Sequence, residues 1–288
     1  MPRHLILVAA VSAIALLFAG TADAQEIKWD KVVGANPAKL DSAQKQRVAA
    51  NLNRIANTRG CKGTIAKCMA QGDHTARRHA GFVIRMVIKK KPDEFIAKAI
   101  KDRAESAFPE ETFDIDLADH PRVGPADAKV VIVEYACFQC PFCAHLAPKL
   151  KNIKKKFKGK VAHYYKFFPV RSHSRGVPTA LAGLAAMRQG KFWELYDLMF
   201  ANRADLEEDD VLEYAKQAGL DMVKFQADMK DPALMRYIEK DKLEGMRYGV
   251  EGTPTFYING KVYTGQNDYR EIIDRIEEEI DIVEGRIK

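Results

Sequence analysis

The chain has 288 residues, 47% hydrophobic and 30% charged. This composition excludes a disordered chain and leaves room for two domains, or for one with an elaborate insertion. The formal net charge is +7, yet twelve Lys and Arg face the single acid Asp73 between Lys45 and Lys91. From Pro121 onward the charges nearly balance, and nothing reads as a nucleic-acid module.

Arg3 and His4 precede an apolar run from Leu5 to Ala19, and Ala22-Asp23-Ala24 gives a small-residue cleavage pattern before Gln25. Residues 1–24 are therefore expected to be a signal peptide, cleaved after Ala24. The run is shorter than the ~20 residues of a spanning helix. Residues 25–108 read as a small all-helical region. Asp41 or Ser42 caps a helix reaching about Thr58, and Thr64 caps a short helix through Cys68. A third helix runs from about His74 to Lys90, with Phe82, Val83, Met86 and Val87 on one side. A fourth starts at Pro92, with Phe95, Ile96, Ile100 and Ala104 at helical spacing. The excess of basic residues is expected on a solvated helical face. The functional alternative is an anionic membrane or an acidic partner.

Residues 109–128 carry prolines and acids without periodicity and read as a linker. Residues 129–288 then form an α/β unit. Lys129 to Tyr135 is a β-branched strand. A helix follows, with Leu146, Leu150, Ile153 and Phe157 on one face. Val161 to Phe168 is a second strand. Residues of about 177–248 are helical throughout, with starts at Asp221 and Pro232. Thr255 to Ile258 and Lys261 to Thr264 flank the Asn259-Gly260 turn as a hairpin. A last helix puts Ile273, Ile276, Ile280 and Val283 on one face. The order is a βαβ unit joined to a ββα unit by a helical insertion.

The chain has five cysteines. Cys140-Pro141-Phe142-Cys143 lies where a strand passes into a helix. Pro141 suits the first helical position, where a missing N–H is harmless. Cys140 then faces free backbone N–H groups and the positive end of the helix dipole, which stabilise a thiolate. Cys143 is one turn on, within disulfide reach. Cys140 is expected as the exposed nucleophile and Cys143 as its buried resolving partner. An inert disulfide and half a metal site are the competing readings.

Cys137 completes a C-x-x-C-x-x-C run. A ferredoxin-type cluster would need a fourth cysteine where Ala147 stands, and zinc would need a ligand such as His145 or His163 at no recognisable spacing. Cys137 reads as a buried loop residue, with a third exchanging thiol as the sharper alternative. Cys61 and Cys68 would lie about 10 Å apart on one continuous helix. A structural disulfide between them requires Cys61 in the turn before Thr64, which Gly60 and Gly63 permit.

Three separated segments together resemble the DsbA-like periplasmic thiol:disulfide oxidoreductases of the thioredoxin superfamily. They are Glu134 to Cys143, Gln189-Gly190-Lys191-Phe192-Trp193, and Gly252-Thr253-Pro254-Thr255-Phe256. The resemblance covers about Pro121 to Glu278 and implies a thioredoxin fold with a helical insertion. It implies that Pro254 is a cis-proline beside the redox pair and that Thr253 presents its backbone to substrate and its side chain to Cys140. It implies that Glu134, buried at a strand end, aids proton transfer to the buried thiol, with Lys166 as a candidate partner. It further implies a periplasmic oxidase that needs no cofactor and no metal. Its partners would be unfolded or reduced exported proteins and a membrane redox protein. An isomerase or reductase, dimerising through the N-terminal region, is the alternative. A metal- or haem-handling protein and a chaperone are more distant ones.

Overall fold

The computed structural model describes residues 24–157 and 159–287. Apart from Ala24, the expected signal peptide lies outside them. Among the described residues no helix is long and apolar enough to cross a membrane.

The N-terminal region holds α1 (Ser42–Arg54), α2 (Ile65–Ala70), α3 (His74–Ile88) and α4 (Asp93–Ala107). Asp41 caps α1 reciprocally: its carboxylate accepts from the Gln44 N–H and the Gln44 amide oxygen accepts from the Asp41 N–H. The helix ends short of Thr58 because Ile55 turns extended and Ala56 bridges to Thr64. Thr64 and Asp73 cap α2 and α3. Cys61 sits in the turn before α2 and is joined to Cys68, their Cα atoms 5.5 Å apart. Val48, Leu52, Ile65, Met69, Val83, Ile84, Ile96 and Ile100 belong to a separate core in this region. Phe95 departs from its expected face and is 37% exposed.

The segment before α1 crosses α3. The Val33 N–H donates to the Arg77 carbonyl, and a Cβ on Gly81 would stand 1.9 Å from the Val33 carbonyl oxygen. Backbone must move to admit it. Gly81→Ala is expected to destabilise the protein by about 1–3 kcal/mol, seen as a lower thermal midpoint. An unchanged midpoint would mean the crossing is not fixed.

The second region is built on β1 (Arg122–Val123), β2 (Val130–Ala136), β3 (Val161–Phe167), β4 (Thr255–Ile258) and β5 (Lys261–Val262). The sheet order is β1-β3-β2-β4-β5, with β2 and β3 parallel and the other pairs antiparallel. Between β2 and β3 runs α5 (Pro141–Phe157). The insertion comprises α6 (Gly176–Arg188), α7 (Phe192–Ala201), α8 (Glu208–Gln217), α9 (Met222–Met229) and α10 (Pro232–Arg247), and α11 (Tyr269–Val283) closes the fold. The central strands are covered on both sides, as parallel pairs require. Ile132, Leu146, Leu150, Ile153, Phe256, Ile273 and Ile276 fill the side under α5 and α11. Val133, Tyr135, Phe168 and Tyr257 fill the other with Ile115. Val283 lies 38% exposed at the end of α11, off the face of Ile273 and Ile276.

Two expectations change here. Residues 109–128 are not simply a linker. Arg122 and Val123 add a strand beside β3, Ile115 packs on the sheet, and the Phe113 N–H donates to the Gly260 carbonyl. Nor is the basic stretch only a solvated face. Arg78 and Arg85 of α3 and Arg103 of α4 turn inward onto acids of α11. Arg85 pairs with Glu271 at 2.8 Å and Asp274 at 2.6 Å. Arg103 pairs with Asp274 at 2.7 Å and Glu278 at 3.1 Å. Arg78 reaches Asp274 at 3.3 Å and also pairs with Asp281. The partner surface for the basic helices is thus the second region of the same chain.

Candidate active site

Strand β2 runs on through Cys137, Phe138 and Gln139 to Cys140, and Pro141 opens α5. Gln139 fixes this loop: its side-chain oxygen accepts from the Arg175 N–H at 2.8 Å, and Arg203 donates to its carbonyl at 3.4 Å. Phe138 fills the core between β3 and the insertion, stacked on Tyr165 with centroids 5.3 Å apart.

Cys140 is only 3% exposed, more covered than the sequence suggests, and Cys143 is fully buried. The loop before β4 packs against Cys140. The Thr253–Pro254 peptide is cis. The Cys140 thiol donates to the Thr253 carbonyl at 3.2 Å. Phe142, between the two cysteines, is 67% exposed.

The two thiols are driven apart. A hydrogen bond from the Cys143 thiol, opposed by burial and helped by the Thr253 side chain and the Cys143 and Phe142 N–H groups, lowers Cys140 to about 5. The Thr253 carbonyl favours the protonated thiol, but that single acceptor is outweighed by these donors. Burial, then the bond to Cys140 and the Glu134 charge, push Cys143 well above the ordinary thiol range. At neutral pH Cys140 is therefore the thiolate of the pair and Cys143 the protonated thiol that donates to it. Ultraviolet thiolate absorbance of reduced protein is expected to titrate near pH 5. Thr253→Val should move that midpoint upward. A midpoint near the ~8.5 of free cysteine would contradict the assigned donors.

Glu134 is fully buried, and its partner is not Lys166. Its Oε2 lies 3.0 Å from His163 Nε2, while Oε1 has no partner. Strand parity explains the change. Glu134 stands opposite Tyr165, and Lys166 opposite Tyr135. Residues 161, 163, 165 and 167 share the face of Glu134, and Lys166 points to the other. There Lys166 pairs with Asp241 at 2.9 Å and Glu244 at 3.2 Å, and Tyr135 donates to Glu244 at 2.8 Å. His163, which the sequence suggested only as a zinc ligand, is thus the neighbour of Glu134.

Cys137 is buried, its sulfur 3.4 Å from His173 Nδ1, and burial raises its thiol. Among the described residues no three His, Cys, Asp or Glu side chains converge as a metal ion would need. The geometry brings Cys140, Cys143, Thr253 and Pro254 together, with Glu134 behind them. Cys61 and Cys68 belong to the other core.

A strand–loop–helix that opens on a dithiol, beside a cis-proline loop, defines a thioredoxin-type redox fold. The chain belongs to the thioredoxin family, whose sequence profile matches residues 117–278. A curated Na(+)/H(+) antiporter NhaA of Herminiimonas arsenicoxydans is 34% identical over 154 residues, 54% of this chain and 24% of the antiporter. The chain thus spans about a quarter of the length of that relative. A thioredoxin-like oxidoreductase from Silicibacter pomeroyi DSS-3 superposes with a TM-score of 0.52 at 23% identity, over 60% of this chain and 95% of that one. The thiol-disulfide exchange protein alpha-DsbA2 from Wolbachia pipientis gives 0.51 at 19% identity, over 63% and 94%. The fold is that of the DsbA-like oxidoreductases.

Proposed function

We propose that the chain is an exported thiol:disulfide interchange protein that oxidises substrate cysteines through Cys140 and Cys143. The observation that carries this reading is geometric: two thiols one helical turn apart at the start of α5, with the cis-proline loop packed on them and the Thr253 carbonyl 3.2 Å from the Cys140 sulfur. In the oxidised enzyme a substrate thiolate attacks Cys140 sulfur. The Cys140–Cys143 bond breaks, and Cys143 leaves as a thiolate that takes up a proton. A second substrate thiolate attacks its own mixed-disulfide sulfur and expels Cys140 as a thiolate. Substrate leaves with a disulfide, and the enzyme holds both electrons as a dithiol. Glu134, whose charge bears on Cys143, is the group assigned to pass the proton, with His163 holding its carboxylate. The Thr253 carbonyl and Pro254 form the edge against which an extended substrate lies, and exposed Phe142 offers apolar contact.

The lowered titration of Cys140 supports the oxidising direction. Whatever stabilises the Cys140 anion stabilises the reduced enzyme and makes its disulfide a stronger oxidant. The isomerase alternative would use the N-terminal region for dimerisation. The Cys61–Cys68 disulfide suits an oxidising compartment such as the periplasm. There, reduced exported proteins would be substrates, and a membrane redox protein would restore the disulfide. The test is equilibration in glutathione buffers with alkylation trapping of the Cys140–Cys143 couple. A potential near the about −120 mV of DsbA is expected, and one near the about −270 mV of thioredoxin would make the protein a reductant. A pair that never forms a disulfide would end the reading.

A further inference from the structure

Away from the cysteines, a cavity of about 390 Å³ opens between α3 and α4 on one side and the loop from β5 into α11 on the other. Phe82, Met86, Phe95, Ala99 and Tyr263 give it apolar walls. Its volume lies in the range of small-molecule pockets, which are mostly apolar with a few placed polar groups. The polar groups around it are largely engaged. Lys98 is paired with Asp102. Arg103 is held by Asp274 and Glu278, and Glu271 by Arg85 and Lys89. Ser106 donates to the Val262 carbonyl, and Tyr263 to the Gln266 carbonyl.

Arg275 differs. It lines the cavity, is only 2% exposed, and its Nη1 has no hydrogen-bond partner. Its other contacts are Glu279 at 2.9 Å and Glu278 at 3.7 Å. Glu279 is also held by Lys261, and Glu278 by Arg103. Both acids are therefore shared with a second cation, and the Arg275 Nη1 group is left without an acceptor. A buried guanidinium donor left unpaired is costly, and it bonds best to an ionised acceptor.

We propose that this cavity is a binding site for a small amphiphilic monocarboxylate, its apolar body between Phe82, Phe95 and Tyr263 and its carboxylate on Arg275. Binding there uses no thiol and is independent of the exchange chemistry. The test uses decanoate on the full chain, followed by calorimetry and by NMR shifts. One saturable site is expected, with the largest shifts at Phe95, Ala99 and Tyr263. Ala99→Phe, which fills the cavity, should weaken binding at least tenfold, and Arg275→Met should weaken it comparably. Circular dichroism of each variant checks that it folds. Where Arg275→Met unfolds through loss of its Glu279 pairing, the Ala99→Phe result and the wild-type shift map decide. Absence of saturable binding overturns the proposal. So does undiminished binding to folded Ala99→Phe, or a shift map centred on the exposed apolar residues Phe142, Leu243 and Met246.

Discussion

Cys140→Ser protein is expected to lose thiol–disulfide exchange by more than about a thousandfold, the scale on which removing a nucleophile acts. Cys143→Ser should fail differently. It keeps the nucleophile but has no thiol to close the ring, so it should accumulate as a mixed disulfide with substrate, visible in non-reducing gels. Cys143→Ala, which also removes the donor, should in addition lose much of the lowered Cys140 titration, because the Cys143 hydrogen bond leads the causes of that shift. Stability is linked to the same group. Cys140 is an acid whose folded value, about 5, lies below its unfolded one. Its contribution to the reduced form is therefore present above the unfolded value and lost as pH falls through about 5. The oxidised form has no such group. Reduced protein should accordingly gain stability over oxidised protein between acidic and neutral pH. Equal pH dependence of the two forms, or full activity in Cys140→Ser, would refute the assignment.

The site was legible where it is local. A strand, a Pro141 helix start and two cysteines one turn apart specify geometry within fourteen residues, 130–143. Thr253 of the cis-proline loop is 113 positions from Cys140, and only resemblance to a family joined the two. The partner of Glu134 was misread because neighbouring strands were known but their register was not. One residue of parity sends Lys166 to Asp241 and Glu244 and leaves His163 beside Glu134. Gln139 gave no signal, since its fixing role depends on Arg175 and Arg203 of the insertion. The fate of the basic stretch was hidden for the same reason. Arg85 and Asp274 are 189 positions apart, and nothing in a charge count says which acids a cation will meet.

That long-range pairing carries the second large prediction. Asp274 is fully buried and takes guanidinium contacts from Arg85, Arg103 and Arg78. Burial alone would raise its carboxyl. The charges of Arg103, Arg85 and Arg78 overcome this and hold it at about 2. Asp274→Asn keeps the shape and removes the charge, leaving buried arginines short of compensation. Such losses cost about 3–5 kcal/mol, which for a chain of this size is a fall in thermal midpoint on the order of 10 °C. The N-terminal helices should also become easier for a protease to cut, while Cys140 still titrates near pH 5, because the redox pair is held by β2, α5 and the Thr253 loop. The wild-type pH dependence has a fixed sign. The folded carboxyl lies below its ordinary 3.8, so its contribution is complete above that value and disappears as pH falls toward 2. Replacing Asp274 should flatten this acid limb. An Asp274→Asn protein with an unchanged midpoint and an unchanged acid limb would mean that apolar packing, not this ion cluster, holds the two regions together.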